Sequence, residues 1–203
     1  MAGILTLGLA APAAYSAMRA LWPAGPQRPT LMTAKPLPDS IPGRSPTGFT
    51  GTGLDRIARG AWSGFWVVGD DGRLREGDAS PFHAAIQIVA PDWSKVVATI
   101  PGPRGASIQG VAIDISGGTD TVWAACSANG TVRRYALYGD QAGDELVGDR
   151  IDLASLGIQG SANGLAFDPT TDTLLVSLYQ GNKVYRLARK AKRLVETITL
   201  GVA

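Results

Sequence analysis

The 203-residue chain has one cysteine, Cys126, and one histidine, His83. A lone cysteine excludes an intrachain disulfide, and one residue of each type excludes the Cys/His sets that hold a structural zinc within one chain. No excess of one charge is present either: 19 basic against 17 acidic residues leave a formal net charge of +2, and the basic residues are dispersed apart from one C-terminal cluster. The electrostatic footprint of a nucleic-acid-binding chain is therefore missing. Long helical periodicities are scarce, whereas 26 glycines and 13 prolines punctuate the chain, which points to an all-β, turn-rich protein. With 45% apolar and 18% charged residues, such a chain can bury a core.

Residues 1–22 form an apolar segment, without charge from Ala2 to Met18. It reads either as a secretory signal with a small-residue cleavage site at Ala14 or Ala17, though without a basic leader, or as an apolar arm that packs against something else. A membrane span is disfavoured, because the run is short, is broken by Gly3, Gly8 and Pro12, and is followed at once by Arg19. Residues 23–48 follow as an extended arm or linker, since Pro23, Pro26, Pro29, Pro36, Pro38, Pro42 and Pro46 prevent helices and central strands and favour polyproline-like backbone. Proline removes part of the ordering cost of such an arm. Leu5, Leu7, Leu9, Tyr15, Trp22, Leu31, Leu37 and Ile41 are the expected anchor to neighbouring subunits.

From residue 49 to 203 the chain repeats. Gly53-Leu54-Asp55-Arg56-Ile57, Gly110-Val111-Ala112-Ile113-Asp114 and Gly164-Leu165-Ala166-Phe167-Asp168 each set a glycine before an apolar strand. The last two lie about 54 residues apart, near the roughly 40 to 50 of propeller repeats. Each continues with a polar turn and a second strand, Val122 to Ala125 or Leu174 to Ser177. A tight turn comes next, Ala128-Asn129-Gly130 or Gln180-Gly181-Asn182, and then an alternating strand, Thr131 to Tyr135 or Lys183 to Leu187. Asn-Gly and Gly-Asn between alternating runs signal hairpins, because these residues accept positive φ. Outer strands are expected at Asp149–Leu153 and Val195–Leu200. In the more degenerate first copy a strand is expected over Ala61–Val68, a turn at Gly69-Asp70-Asp71-Gly72, and later strands over Ala84–Val89 and Lys95–Ile100. The expected architecture is a partial β-propeller of about three four-stranded antiparallel blades. Closed propellers use about four to eight blades, so the reading is that further blades or partner chains complete the structure.

Ser161-Ala162-Asn163-Gly164-Leu165-Ala166-Phe167-Asp168-Pro169, followed by Asp172 to Ser177, resembles the blade motif of the SMP-30/gluconolactonase/NHL-like propellers. Gln109 to Asp114 is similar to the same motif and to the phytase-like propellers. The resemblance implies propeller architecture. For the lactonases it further implies an asparagine that helps bind a divalent metal, usually calcium, in the channel, and Asn163 is the matching residue. The equivalent position one unit earlier is Gln109, and the family's acidic ligands have no clear match. A hard cation takes six to eight oxygens, which Asn163 alone does not supply.

Asp114 and Asp168 follow strands and precede turns, where an aspartate more often accepts turn amides than performs chemistry. His83 has no nucleophile-elbow serine beside it and reads as a loop residue. Cys126 ends a buried strand and reads as packing. Trp66 and Trp123 fall in predicted inner strands and read as core, Trp62 is a further aromatic, and Trp93 is the expected exposed ring for binding. Arg186, Arg189, Lys190, Lys192 and Arg193 read as a solvated turn, with an acidic-partner contact as the alternative.

The expected function is a non-enzymatic structural or attachment component of a larger assembly, such as a phage virion, tail or fibre. Its partners would be protein subunits and a cell-surface or glycan ligand, without nucleic acid or cofactor. The alternative is a calcium-dependent lactonase or phytase-like hydrolase, secreted or periplasmic after signal cleavage. Deleting residues 1–46 is expected to preserve the far-UV circular dichroism of the blades and to abolish incorporation into the assembly, scored by co-purification. Persistent incorporation would remove the anchoring role.

Overall fold

The computed structural model describes residues 51–70, 84–103, 106–117, 120–127, 129–138 and 141–201. Within them, alternating and apolar runs separated by Gly, Asn and Asp turns fold into three four-stranded antiparallel sheets. The first contains β1 (Gly51–Arg56), β2 (Trp66–Asp70), β3 (Ala85–Val89) and β4 (Val96–Pro101). The second contains β5 (Ile108–Asp114), β6 (Thr121–Cys126), β7 (Thr131–Ala136) and β8 (Ile151–Asp152). The third contains β9 (Ala162–Asp168), β10 (Thr173–Leu178), β11 (Lys183–Ala188) and β12 (Arg193–Thr199). Strands lie in chain order within every sheet. The first strands lie side by side, β1 against β5 and β5 against β9, which is the arrangement of propeller blades around an axis.

Side chains alternate across each strand, so every sheet has a leading face toward the sheet before it and a trailing face toward the sheet after it. On the second sheet the trailing face carries Trp123, Ala125, Val132 and Ile151, all buried in one core with Leu174, Val176 and Leu187 of the third sheet. The core between the first and second sheets is built likewise, from Val67, Ile88 and Ile100 on one side and Val111, Val122 and Tyr135 on the other. β6 is buried along its whole length, whereas β12 is mostly exposed.

The inner strands meet at backbone distance. A Cβ on Gly53 would stand 2.7 Å from the Gly110 Cα and 2.8 Å from the Val111 nitrogen, and a Cβ on Gly110 would stand 2.5 Å from the Asn163 carbonyl oxygen and 2.8 Å from the Leu165 nitrogen. Glycine at these positions is therefore a steric requirement of blade convergence. A side-chain hydrogen bond reinforces the first contact, the Ile113 backbone N–H donating to Asp55 at 2.8 Å.

Several expectations need correction. Residues 61–64 form a turn and β2 begins at Trp66, because Gly60 and Gly64 take positive φ and the Gly64 N–H donates back to the Ile57 carbonyl. Gly69 and Asp70, expected in a turn, are the end of β2 and pair with Ile86 and Ala85. The outer strand of the second sheet shrinks to Ile151–Asp152, preceded by a 3-10 turn at Val147–Asp149. The expected hairpin turns are present, with Gly130 at φ 58 and Gln180 at φ 60. The anchor residues Leu5, Leu7, Leu9, Tyr15, Trp22, Leu31, Leu37 and Ile41, and also His83, lie outside the described residues.

Gly110→Ala is expected to lower unfolding free energy by about 1–3 kcal/mol, the ordinary range for overpacking, measured by urea denaturation. Gly148→Ala, whose Cβ would meet nothing within 4 Å among the described residues, is the control and should be nearly neutral.

Candidate functional site

Asp114 ends β5 and its side chain is fully buried. An isolated buried carboxylate is costly, and five donors surround this one. The Ser116 N–H and hydroxyl donate at 2.9 and 2.6 Å, and the Trp123 indole N–H donates at 3.3 Å. Arg134 of β7 pairs with it at 2.9 Å. Arg189, which directly follows β11 in the next sheet, pairs with it at 2.8 Å. Burial alone would raise its pKa. The Ser116 hydrogen bonds and the two guanidinium charges outweigh burial and hold the carboxyl below its ordinary value. Each arginine has a second acid, Asp149 for Arg134 at 2.7 Å and Asp172 for Arg189 at 2.6 Å. Arg134 also lies over the Trp123 ring and Arg189 over the Phe167 ring.

The third sheet repeats the arrangement without its final member. Asp168 holds the position of Asp114, since Asp114 pairs with Thr121 and Asp168 with Thr173. Arg186 likewise matches Arg134, opposite Leu175 and Trp123 respectively. Asp168 accepts from the Thr170 N–H at 3.0 Å and the Thr171 hydroxyl at 2.6 Å, and Arg186 reaches it at 3.4 Å. The Thr171 hydrogen bond, with smaller help from backbone N–H groups and Arg186, lowers its pKa against the effect of burial. Arg186 pairs onward with Glu196 at 3.2 Å, as Arg134 does with Asp149. No guanidinium from a following sheet reaches Asp168 among the described residues, and its side chain is 20% exposed where that of Asp114 is 0%. Two further positions of this trailing face are less covered than their counterparts: Ala166 is exposed where Ala112 is buried, and Leu175 is half-buried where Trp123 is fully buried, while Thr173 and Val184 on the same face stay buried.

The turn role expected of both aspartates is present, and the interblade ion pair is an addition that the strand pattern did not contain. The basic cluster is corrected in part. Arg189 is buried and paired within the chain, whereas Lys190 and Arg193 are exposed and Lys192 bonds the Gly148 carbonyl. Asn163 and Gln109 occupy equivalent inner-strand positions and are half-buried. Among the described residues no group of three or more His, Cys, Asp or Glu gathers as metal ligands. A depression of about 380 Å³ between the first two sheets is lined by Thr99, Pro101, Tyr135 and Glu145 among others, and Asn163 is not in its walls. Cys126 is buried, and burial pushes its thiol up to about 11, in keeping with packing. Trp123 is core as expected. Trp66 is half-buried instead, stacked on the half-buried Trp93 with ring centroids 5.3 Å apart. Trp62 packs edge-on against Phe65.

No protein-family model and no curated protein sequence matches the chain. Solved structures do match. Glutaminyl cyclase from Myxococcus xanthus aligns at TM-score 0.53 and 11% identity, over 75% of this chain and 52% of that one. Hydrazine synthase from Kuenenia stuttgartiensis aligns at 0.52 and 12%, over 80% and 40%. A luciferin-regenerating enzyme aligns at 0.50 and 13%, over 74% and 45%. At these identities the likeness is one of fold, and the fold is a partial β-propeller. The chain spans about half the length of the structures that it matches.

Asp114→Asn is expected to cost about 3–5 kcal/mol, the range for removing one partner of a buried ion pair. Because the folded pKa lies below the unfolded one, the contribution is complete above about pH 5 and fades as pH falls past the unfolded value of about 3.9 and through the folded value. Urea denaturation between pH 7 and pH 2 should show that loss in the wild type and a shallower one in the variant.

Proposed function

We propose that this chain is a structural or attachment subunit of a larger assembly that acts by docking its propeller sheets, with a virion tail or fibre, or another extracellular assembly, as its setting. The observation that carries the reading is the trailing face of the third sheet. It presents Ala166, Asp168 and Leu175 in the pattern that the second sheet uses to bind its neighbour, here exposed or half-buried. The face is mixed, with Leu175 beside the Asp168–Arg186–Glu196 row, and a mixed apolar and charged composition is what non-obligate docking surfaces show. The inner-strand carboxylates also favour a mechanical role, because Asp114 is wholly engaged by its five donors and Asp168 by its turn and Arg186. The names of the similar structures span a cyclase, a synthase and a luciferin-regenerating enzyme, so propeller architecture by itself selects no chemistry.

The protein isolated from its native source is expected to run with other subunits in fixed stoichiometry. Recovery as a solitary species would overturn the reading. The calcium-dependent hydrolase supplies the contrast. A ligand at 100 times its Kd adds about 2.7 kcal/mol of stability, so calcium raising the Tm of the wild type but not of Asn163→Ala would transfer the assignment to that alternative. Under the assembly reading, calcium and EDTA give the same Tm in both proteins.

A further inference from the structure

The two ends of the blade arc carry matching halves of one contact. At each internal junction a trailing face bearing an inner-strand glycine meets a leading face whose own inner strand has glycine at the same register. Gly53 meets Gly110, and Gly110 meets the backbone at Asn163, Gly164 and Leu165. Gly164 continues the series on the third sheet. Among the described residues its Cβ would meet only the Ser177 side chain of its own sheet within 4 Å, chain neighbours aside. At the other end β1 offers Gly53 in the receiving register. Its leading-face residue Leu54 is 46% exposed, whereas Val111 at the equivalent place on β5 is buried in the junction with the first sheet.

The charges correspond as well. The second sheet offers Asp114 from its trailing face, and the third answers with Arg189, whose guanidinium lies over Phe167 on its leading face. Arg56 of β1 occupies the register position of Phe167, and its guanidinium lies 5.4 Å from the centroid of the Trp66 ring. The first sheet's leading face thus presents a cation on an aromatic base in the region from which the third sheet's leading face presents Arg189. The acid waiting at the opposite end of the arc is Asp168.

We infer that two copies of this chain close head to tail, the trailing face of each third sheet receiving the leading face of the partner copy's first sheet, with Asp168 paired to Arg56 across the contact. Two such contacts related by a twofold axis would bring six of the described sheets into one ring, inside the roughly four to eight blades of closed propellers. This deepens the docking reading above and rests on it, while naming a second copy as the occupant of the face.

The test is the mass of the purified full-length chain at micromolar concentration, by size exclusion with light scattering and by native mass spectrometry. The expected result is twice 21.1 kDa. Asp168→Arg and Arg56→Asp should each weaken the dimer about ten-fold or more, the scale of close interfacial charge pairs, and the double charge swap should restore it. Ala166→Arg, at a position already exposed in the single chain, gives a second block of the same face, and circular dichroism confirms that each variant is folded. A monomer, a higher oligomer, or a dimer indifferent to both Asp168→Arg and Ala166→Arg overturns the inference. A chain that is monomeric alone yet recovered with other subunits from its source would end this inference and leave the docking role standing. A dimer recovered without other subunits would keep the docking of sheet faces and end only the role in a larger assembly.

Discussion

Two backbones can touch only where no side chain stands between them, and the radial order of this fold depends on that contact. β1, β5 and β9 converge at Gly53, Gly110 and the Asn163–Leu165 stretch, where a methyl group would fall within 3 Å of the neighbouring main chain. With the inner strands at that spacing, the outer parts of consecutive sheets splay apart, and larger side chains fill the widening wedge. Trp123 lies on the second strand of its sheet and Ile151 on the fourth, both fully buried. Small residues inside and large ones outside are a consequence of radial packing.

The two internal junctions solve one position differently. Between the first and second sheets, Ile57 and Leu137 are buried in an apolar core. Between the second and third, the residue that follows the same register is Asp114, joined to Arg189. An apolar pair tolerates small shifts of one sheet over the other, because dispersion and burial have little directionality. A guanidinium shared between Asp114 and Asp172 tolerates fewer, since its donors are fixed in a planar fork. Replacing such a pair by packed apolar residues is often neutral or stabilising, so directional constraint is what this contact has that an apolar pair would not reproduce.

The sheets were legible in the chain because their signals are local. A glycine before an apolar run, an Asn-Gly or Gly-Asn turn and an alternating strand all act within about ten residues, and β5 to β7 and β9 to β11 lie where those signals put them. The degenerate first copy was harder, since Trp62 and Phe65 look like strand residues while Gly60 and Gly64 impose a turn. The clamp on Asp114 was out of reach by the same logic. Its arginines lie 20 and 75 residues away, and Arg189 sits in a basic run that resembles a solvated turn. One signal was available: an Asp at the end of the inner strand is followed by an Arg on the third strand in both later copies, Asp114 with Arg134 and Asp168 with Arg186.

Chain-order pairing also bears on how the protein forms. Every strand pairs with its immediate neighbour in sequence, so loop closure within a sheet costs little entropy. During synthesis each meander can finish before the next has left the ribosome. The Asp114–Arg189 pair brackets β6 to β11, so it is made only after the first three strands of the third sheet have been produced. It therefore serves as a late latch, and Asp114 spends the interval with Ser116, Trp123 and Arg134 as its partners.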